Sequence, residues 1–122
     1  MPEFHRPFSG FSVDDTDKAK SFYSDVIGLT VNDDDGMLQI DLGDDHFVLV
    51  YPKESHEPAS FTVLNLPVDD VTAAVRELAS RGVEFARYDG MPQDEDGVMK
   101  GNGPDIAWFT DPAGNVISVI AA

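Results

Sequence analysis

One order of elements is written twice in this chain. Phe8 to Val13 reads as a strand, and Asp14-Asp15-Thr16 then offers an N-cap with favourable charge at a helix start. Ala19, Phe22, Tyr23, Val26 and Ile27 follow at i, i+3, i+4, i+7 and i+8, one apolar stripe closed by Gly28 in a C-cap position. Strands are predicted at Leu29 to Asn32, Met37 to Leu42 and His46 to Tyr51, with Asp-Asp-Gly and Gly-Asp-Asp as turn material between them. The order then recurs: Phe61 to Leu66, an Asp69-Asp70 cap, and a stripe of Val71, Ala74, Val75, Leu78 and Ala79 before Gly82. Strands follow at Val83 to Tyr88, around Ile106 to Thr110, and at Val116 to Ile120. The halves are offset by 52 residues by helix stripe, 54 by glycine and 55 by capping aspartates.

A βαβββ unit cannot bury both faces of its own sheet. The expected fold is therefore α+β, with two βαβββ modules forming a curved mixed sheet around a cavity and the helices outside. The modules span about 5–52 and about 60–122, with a linker at about 52–60, in one domain of 122 residues. Residues 89–104 make a long Gly- and acid-rich loop with few apolar anchors, a candidate lid.

Charge and composition narrow the function. Twenty-three acidic residues against eight basic ones give a net charge of −15, a field that repels phosphate backbones and anionic lipid and favours cationic partners. Much of this acid sits in pairs suited to turns and helix starts, where it also serves solubility. With no cysteine there is no disulfide framework, thiolate nucleophile or Cys-based zinc site, which suits a cytoplasmic location. The longest apolar run, Phe47 to Tyr51, is too short to span a bilayer. The expectation is a soluble cytoplasmic protein with no nucleic-acid or membrane partner.

The stretch Trp108 to Val119 contains Asp111-Pro112-Ala113-Gly114-Asn115, a turn between two β-rich runs: proline fixes φ, glycine permits φ > 0 and asparagine tolerates the left-handed region. Asp-Pro-x-Gly-Asn ahead of an apolar strand resembles the C-terminal signature of the vicinal oxygen chelate superfamily, which includes glyoxalase I, extradiol dioxygenases and bleomycin-resistance proteins. Val13 to Tyr23 followed by Ile27-Gly28-Leu29 is similar to that family's first helix, and Val68 to Val75 with Gly82-Val83 resembles its second-half counterpart. The resemblance covers nearly the whole chain and implies the glyoxalase/bleomycin-resistance fold and a homodimer.

Metal-dependent members of the family place ligands at four strand positions. By motif these fall on Phe8, on Phe61 or Val63, near Leu49, and on Ser118, where relatives carry a glutamate. Phe, Val and Leu have no donor, and a neutral serine hydroxyl is a poor ligand for Zn²⁺, Ni²⁺ or Fe²⁺. His5 and His46 have the wrong strand parity to rebuild such a site, and His56 falls in the linker. No metal and no other cofactor is expected. There is also no Gly-x-Ser-x-Gly elbow, His-Glu-x-x-His motif or phosphate-cradling loop, and no catalytic residue is assigned. Asp41, Glu84 and Asp105 lie in or beside predicted strands and are the carboxylates available for acid–base work.

Strand alternation supplies the expected pocket lining: Phe8, Gly10 and Ser12; Phe47, Leu49 and Tyr51; Phe61, Val63 and Asn65; Val116, Ser118 and Ile120. Trp108, the only tryptophan, is either a stacking platform or a core residue. An apolar and aromatic lining with a few hydroxyls and an amide suits a flat, partly apolar organic molecule. The expected function is metal-free binding or sequestration of a partly aromatic compound, with a cation as the favoured case. The alternatives are an enzyme of the same fold (lyase, isomerase or dioxygenase) with a rearranged metal site or a carboxylate base, and an interaction module whose cavity its own side chains fill.

Overall fold

Asp15 and Asp70 start the two helices by the same device. Each holds an extended backbone and accepts an amide hydrogen in the first turn, Asp15 Oδ1 from Lys18 N at 3.1 Å and Asp70 Oδ1 from Ala73 N at 3.0 Å. The computed structural model describes residues 1–122, divided into two compact units, Met1–Glu57 and Pro58–Ala122.

In the first unit, β1 (Ser9–Val13) leads to α1 (Thr16–Ser21), a π-helical turn (Phe22–Val26), and then β2 (Val31–Asp34), β3 (Met37–Gly43) and β4 (His46–Pro52). The sheet order is β1-β4-β3-β2, with β1 parallel to β4 and the other pairs antiparallel. Phe11, Val13, Leu38, Ile40, Val48 and Val50 are buried together with Ala19 and Tyr23, so one sheet face is sealed by the helix. The other face carries Gly10, Ser12, Phe47, Leu49 and Tyr51, as strand parity predicts.

Two local features depart from the sequence reading. The apolar stripe Ala19 to Ile27 is not a uniform α-helix: Ile27 N bonds Phe22 O at 3.0 Å, a five-residue step. Ser24 Oγ donates to Lys20 O at 2.6 Å, so a side chain competes for a helix carbonyl at the same place. The following strand then begins at Val31 rather than Leu29.

In the second unit, β5 (Thr62–Val68), α2 (Val71–Ser80), β6 (Ile106–Thr110) and β7 (Val116–Ala121) form a sheet of order β5-β7-β6, with β5 parallel to β7. Leu64, Ala107, Phe109, Ile117 and Val119 are buried on one face, and α2 contributes Val71, Val75 and Leu78. Asp111 ties the β6–β7 turn: Oδ1 accepts from the amides of Ala113 and Asn115, both at 2.9 Å, and Oδ2 accepts from Asn115 Nδ2 at 3.0 Å. Gly114 sits at φ 86°, and a Cβ there would lie 3.2 Å from the Pro58 ring, so this position demands glycine twice over.

The strand predicted over Val83 to Tyr88 does not form, so the second module is βαββ with a single bridge, Phe85 to Phe109, in place of the extra strand. The β6 edge is partly taken by Met99, which exchanges backbone bonds with Ile106 at 2.8 and 3.2 Å, and the segment's own groups are met by a side chain. The Gln93 carboxamide accepts from Tyr88 N at 2.8 Å and donates to Ala86 O at 2.9 Å, taking the backbone groups a neighbouring strand would have used. The loop over 89–104 is better anchored than its composition suggests. Val98 is fully buried, Gln93 Nε2 also donates to Gly97 O at 2.9 Å, and Arg76 pairs with Asp96 at 3.1 Å.

Asp94 organises that loop. Burial pushes its carboxyl up, but the amides of Val98 and Asp96 and the Lys100 ammonium together outweigh this and hold it below the usual carboxylate range. A depressed folded pKa contributes stability that is present above the unfolded value, ~3.9, and lost as pH falls through the folded value. Asp94→Asn is therefore expected to unfold at a lower temperature than wild type at neutral pH, with the gap closing below about pH 3.9. Thermal melts across that range check it, and a gap independent of pH would refute the assignment.

Candidate functional site

Each unit leaves one sheet face without a helix, and the candidate site residues stand on these faces. In the first unit Phe8 is 57% exposed and stacks on Phe47, ring centroids 4.7 Å apart and planes 30° from parallel. Leu49 lies beside Gly10, where a Cβ would come within 3.2 Å of the Leu49 carbonyl oxygen, so the sheet surface is bare there. Ser12 pairs in register with Tyr51. Its Oγ lies 2.6 Å from His56 Nδ1. His56 reaches it because the turn from Lys53, closed by His56 N to Lys53 O at 3.1 Å, folds the chain back toward β1. His56, which the sequence reading placed in the linker, is a half-buried partner of Ser12.

In the second unit Ser118 is fully buried and donates to Asn65 Oδ1 at 2.5 Å. Trp108 stands opposite Ser118 in the β6–β7 register, on the face away from α2, which settles its orientation. Its ring meets Tyr88 edge to face, centroids 5.6 Å apart. Phe61 is 69% exposed. A β-bulge between Thr62 and Leu64 sets Thr62 beside Val116 and Asn65 beside Ser118, so strict alternation fails and Thr62, not Val63, lines the cleft here. That cleft has a volume of about 390 Å³ and is walled by Phe61, Thr62, Tyr88, Asp89, Met91 and Trp108, with Ser60 and Val116 completing it. Its size falls within the range of small-molecule sites.

Sequence reasoning missed Thr62, Tyr88, Asp89 and Met91. The aromatic-acid-glycine-methionine run from Tyr88 to Met91 was the available signal, split between the end of a predicted strand and the start of a presumed loop. Of the candidate carboxylates, Asp41 is exposed and accepts from Gly43 N at 2.8 Å, Glu84 is exposed, and Asp105 is half-buried. None of the three lines the aromatic cleft.

The donor set does not suit a divalent metal. Phe8, Leu49 and Phe61 offer no ligand atom, the Ser118 hydroxyl is committed to Asn65, and no three His, Asp or Glu side chains converge anywhere in the chain. No helix is long and apolar enough to cross a membrane.

Two modules of strand, helix and antiparallel strands, each joining its first strand parallel to its last, define a vicinal oxygen chelate fold. The chain belongs to the Glyoxalase/Bleomycin resistance protein/Dioxygenase superfamily, whose profile matches residues 8–119. Among solved structures it is similar to TnmS3, an antibiotic binding protein from Streptomyces sp. CB03234, at 28% identity over 99% of this chain and 98% of that one, TM-score 0.70. A glyoxalase/bleomycin resistance protein from the same Streptomyces is 29% identical over 93% of this chain and 99% of that one, TM-score 0.61. A hypothetical protein from S. aureus shares the fold at 18% identity, covering 99% and 96% of the two chains, TM-score 0.71. No curated protein matches the chain.

Ser118→Glu installs the glutamate that the family resemblance of the sequence implies for metal-dependent members at this position. A carboxylate forced into a fully buried position without a cation is expected to destabilise the fold by about 3 kcal/mol or more. Denaturant unfolding with and without Zn²⁺ checks this, and rescue of the variant by zinc would show that a metal site lies one substitution away.

Proposed function

We propose that this protein binds a small, partly aromatic, cationic compound without a metal, and that the cleft beside Trp108 is where the ligand's aromatic part rests. The observation that carries the reading is the make-up of that cleft: Trp108, Tyr88 and Phe61 supply π faces, Met91 a polarisable thioether, and Asp89 a carboxylate. An organic cation gains from ring quadrupole and carboxylate together, and the −15 charge of the chain raises its local concentration. The likeness to an antibiotic binding protein at 28% identity supports the same class of ligand. On the first unit, the aromatic pair Phe8–Phe47 and the hydroxyl of Ser12, with Leu49 and Tyr51, are proposed as a separate candidate binding surface. Exposed Phe8 and Phe61 also support a homodimer. The protein is proposed to act in the cytoplasm, where a chain without cysteine meets no redox constraint.

A second reading, an enzyme of the same superfamily, rests on the Ser12–His56 contact at 2.6 Å, a hydroxyl held on a basic nitrogen. Binding without turnover separates the two.

A panel of basic aromatic compounds and antibiotics, followed by fluorescence of the single tryptophan and by thermal shift, tests the proposal. A ligand is expected to perturb Trp108 emission and to raise the melting temperature. Trp108→Ala is expected to weaken it by about tenfold or more, and Asp89→Asn by roughly two- to fivefold for cationic members only. No stabilisation by any member, or equal loss for neutral and cationic ligands in Asp89→Asn, would count against the assignment. Light scattering is expected to give about twice the 13.3 kDa chain mass.

A further inference from the structure

The chain has four asparagines, and the structure treats one of them differently. Asn32 pairs in β2 opposite Gln39, Asn65 accepts from Ser118, and Asn115 is buried with its carboxamide on Asp111. Asn102 is exposed, its side chain makes no hydrogen bond, and it alone is followed by glycine. Gly103 N–H is likewise unengaged, and the space around a Cβ at Gly103 is empty to 4 Å.

We propose that Asn102 is a site of spontaneous deamidation in the folded protein. The Gly103 amide nitrogen attacks the Asn102 side-chain carbonyl carbon, forming a C–N bond. The bond from that carbon to the side-chain nitrogen breaks, and ammonia leaves with the proton from Gly103. Water then opens the five-membered imide at either carbonyl, giving aspartate at one and isoaspartate at the other. Every other residue type at position 103 would crowd the attacking nitrogen, and any hydrogen bond to the Asn102 carboxamide would hold it away.

The surrounding structure tolerates the product. Met99 N donates to Ile106 O at 2.8 Å and Ile106 N to Met99 O at 3.2 Å, so the segment 100–105 is a closed loop outside the sheet. The extra main-chain atom of isoaspartate is confined to that loop, and β6 with Trp108 keeps its register. One carboxylate replaces one neutral amide, so the net charge goes from −15 to −16.

The test uses the full chain, aged in mildly alkaline and in mildly acid buffer. Isoelectric focusing is expected to show one more acidic species, accumulating faster in alkali because the attack needs the amide nitrogen deprotonated. Trypsin cleavage after Lys100 releases residues 101–122, which hold both Asn102 and Asn115 and so carry an internal control. Fragmentation is expected to place the mass gain on Asn102, with Asn115 reacting at least about tenfold more slowly because it must first leave its buried hydrogen bonds. Asn102→Gln is expected to abolish the acidic species and Gly103→Ala to slow it. Isoaspartate is detected by enzymatic carboxyl methylation, and unchanged thermal melting of the aged protein shows that the fold persists. An acidic species arising equally fast in Asn102→Gln, a mass gain first at Asn115, or loss of the folded melt on ageing would overturn the proposal.

Discussion

Strand alternation, with a helix available for one face only, is the constraint from which the rest of this structure follows. Each sheet buries one row of side chains under its helix: Phe11, Val13, Val48 and Val50 in the first unit, Leu64, Phe109, Ile117 and Val119 in the second. Burial of these groups at about 25 cal/mol per Å² drives folding and fixes the register, because a slip by one residue would turn the whole row to water. The opposite rows, relieved of the task of making a core, hold Ser12, Tyr51, Trp108 and Asn65.

That division explains why function and fold separate in this sequence. Chemistry at the helix-free faces can vary without touching the core, and Phe8, Leu49, Phe61 and Ser118 place no strong metal donor there. Ser118 is the instructive case, since it is on the helix-free face yet fully buried, its hydroxyl spent on Asn65. A residue in that position serves packing and hydrogen-bond satisfaction as much as any ligand.

Much of this was legible in the sequence. The repeated order of elements, both aspartate N-caps, the helix stripe of the second half and the turn at Asp111 to Asn115 follow from local rules that act within a few residues. Strand parity placed Ser12, Phe47, Leu49 and Tyr51 on one face because the first sheet is regular through β1 and β4. Parity failed at Val63 because a bulge inserts one residue, and nothing in Phe61-Thr62-Val63-Leu64 announces it. The π-helical turn after Ser21 is a similar one-residue insertion in a helix, again invisible to a 3.6-residue period.

The remaining misses come from individual side-chain hydrogen bonds, those of Gln93 and of His56. Gln93 closes off Ala86 and Tyr88 as a strand would, and so converts a predicted strand into the wall from which Tyr88 meets Trp108. His56 arrives on Ser12 through a turn whose closure is a backbone bond between Lys53 and His56, forty-four positions from its partner in sequence. Contacts of that separation have no periodic signature. A carboxamide can imitate a peptide group because it presents the same donor and acceptor, so Gln93 satisfies Ala86 O and Tyr88 N without a strand ladder. The cleft wall therefore rests on the side-chain hydrogen bonds of Gln93 more than on a strand ladder, so this edge of the second unit can be reshaped by single substitutions while the buried rows stay intact.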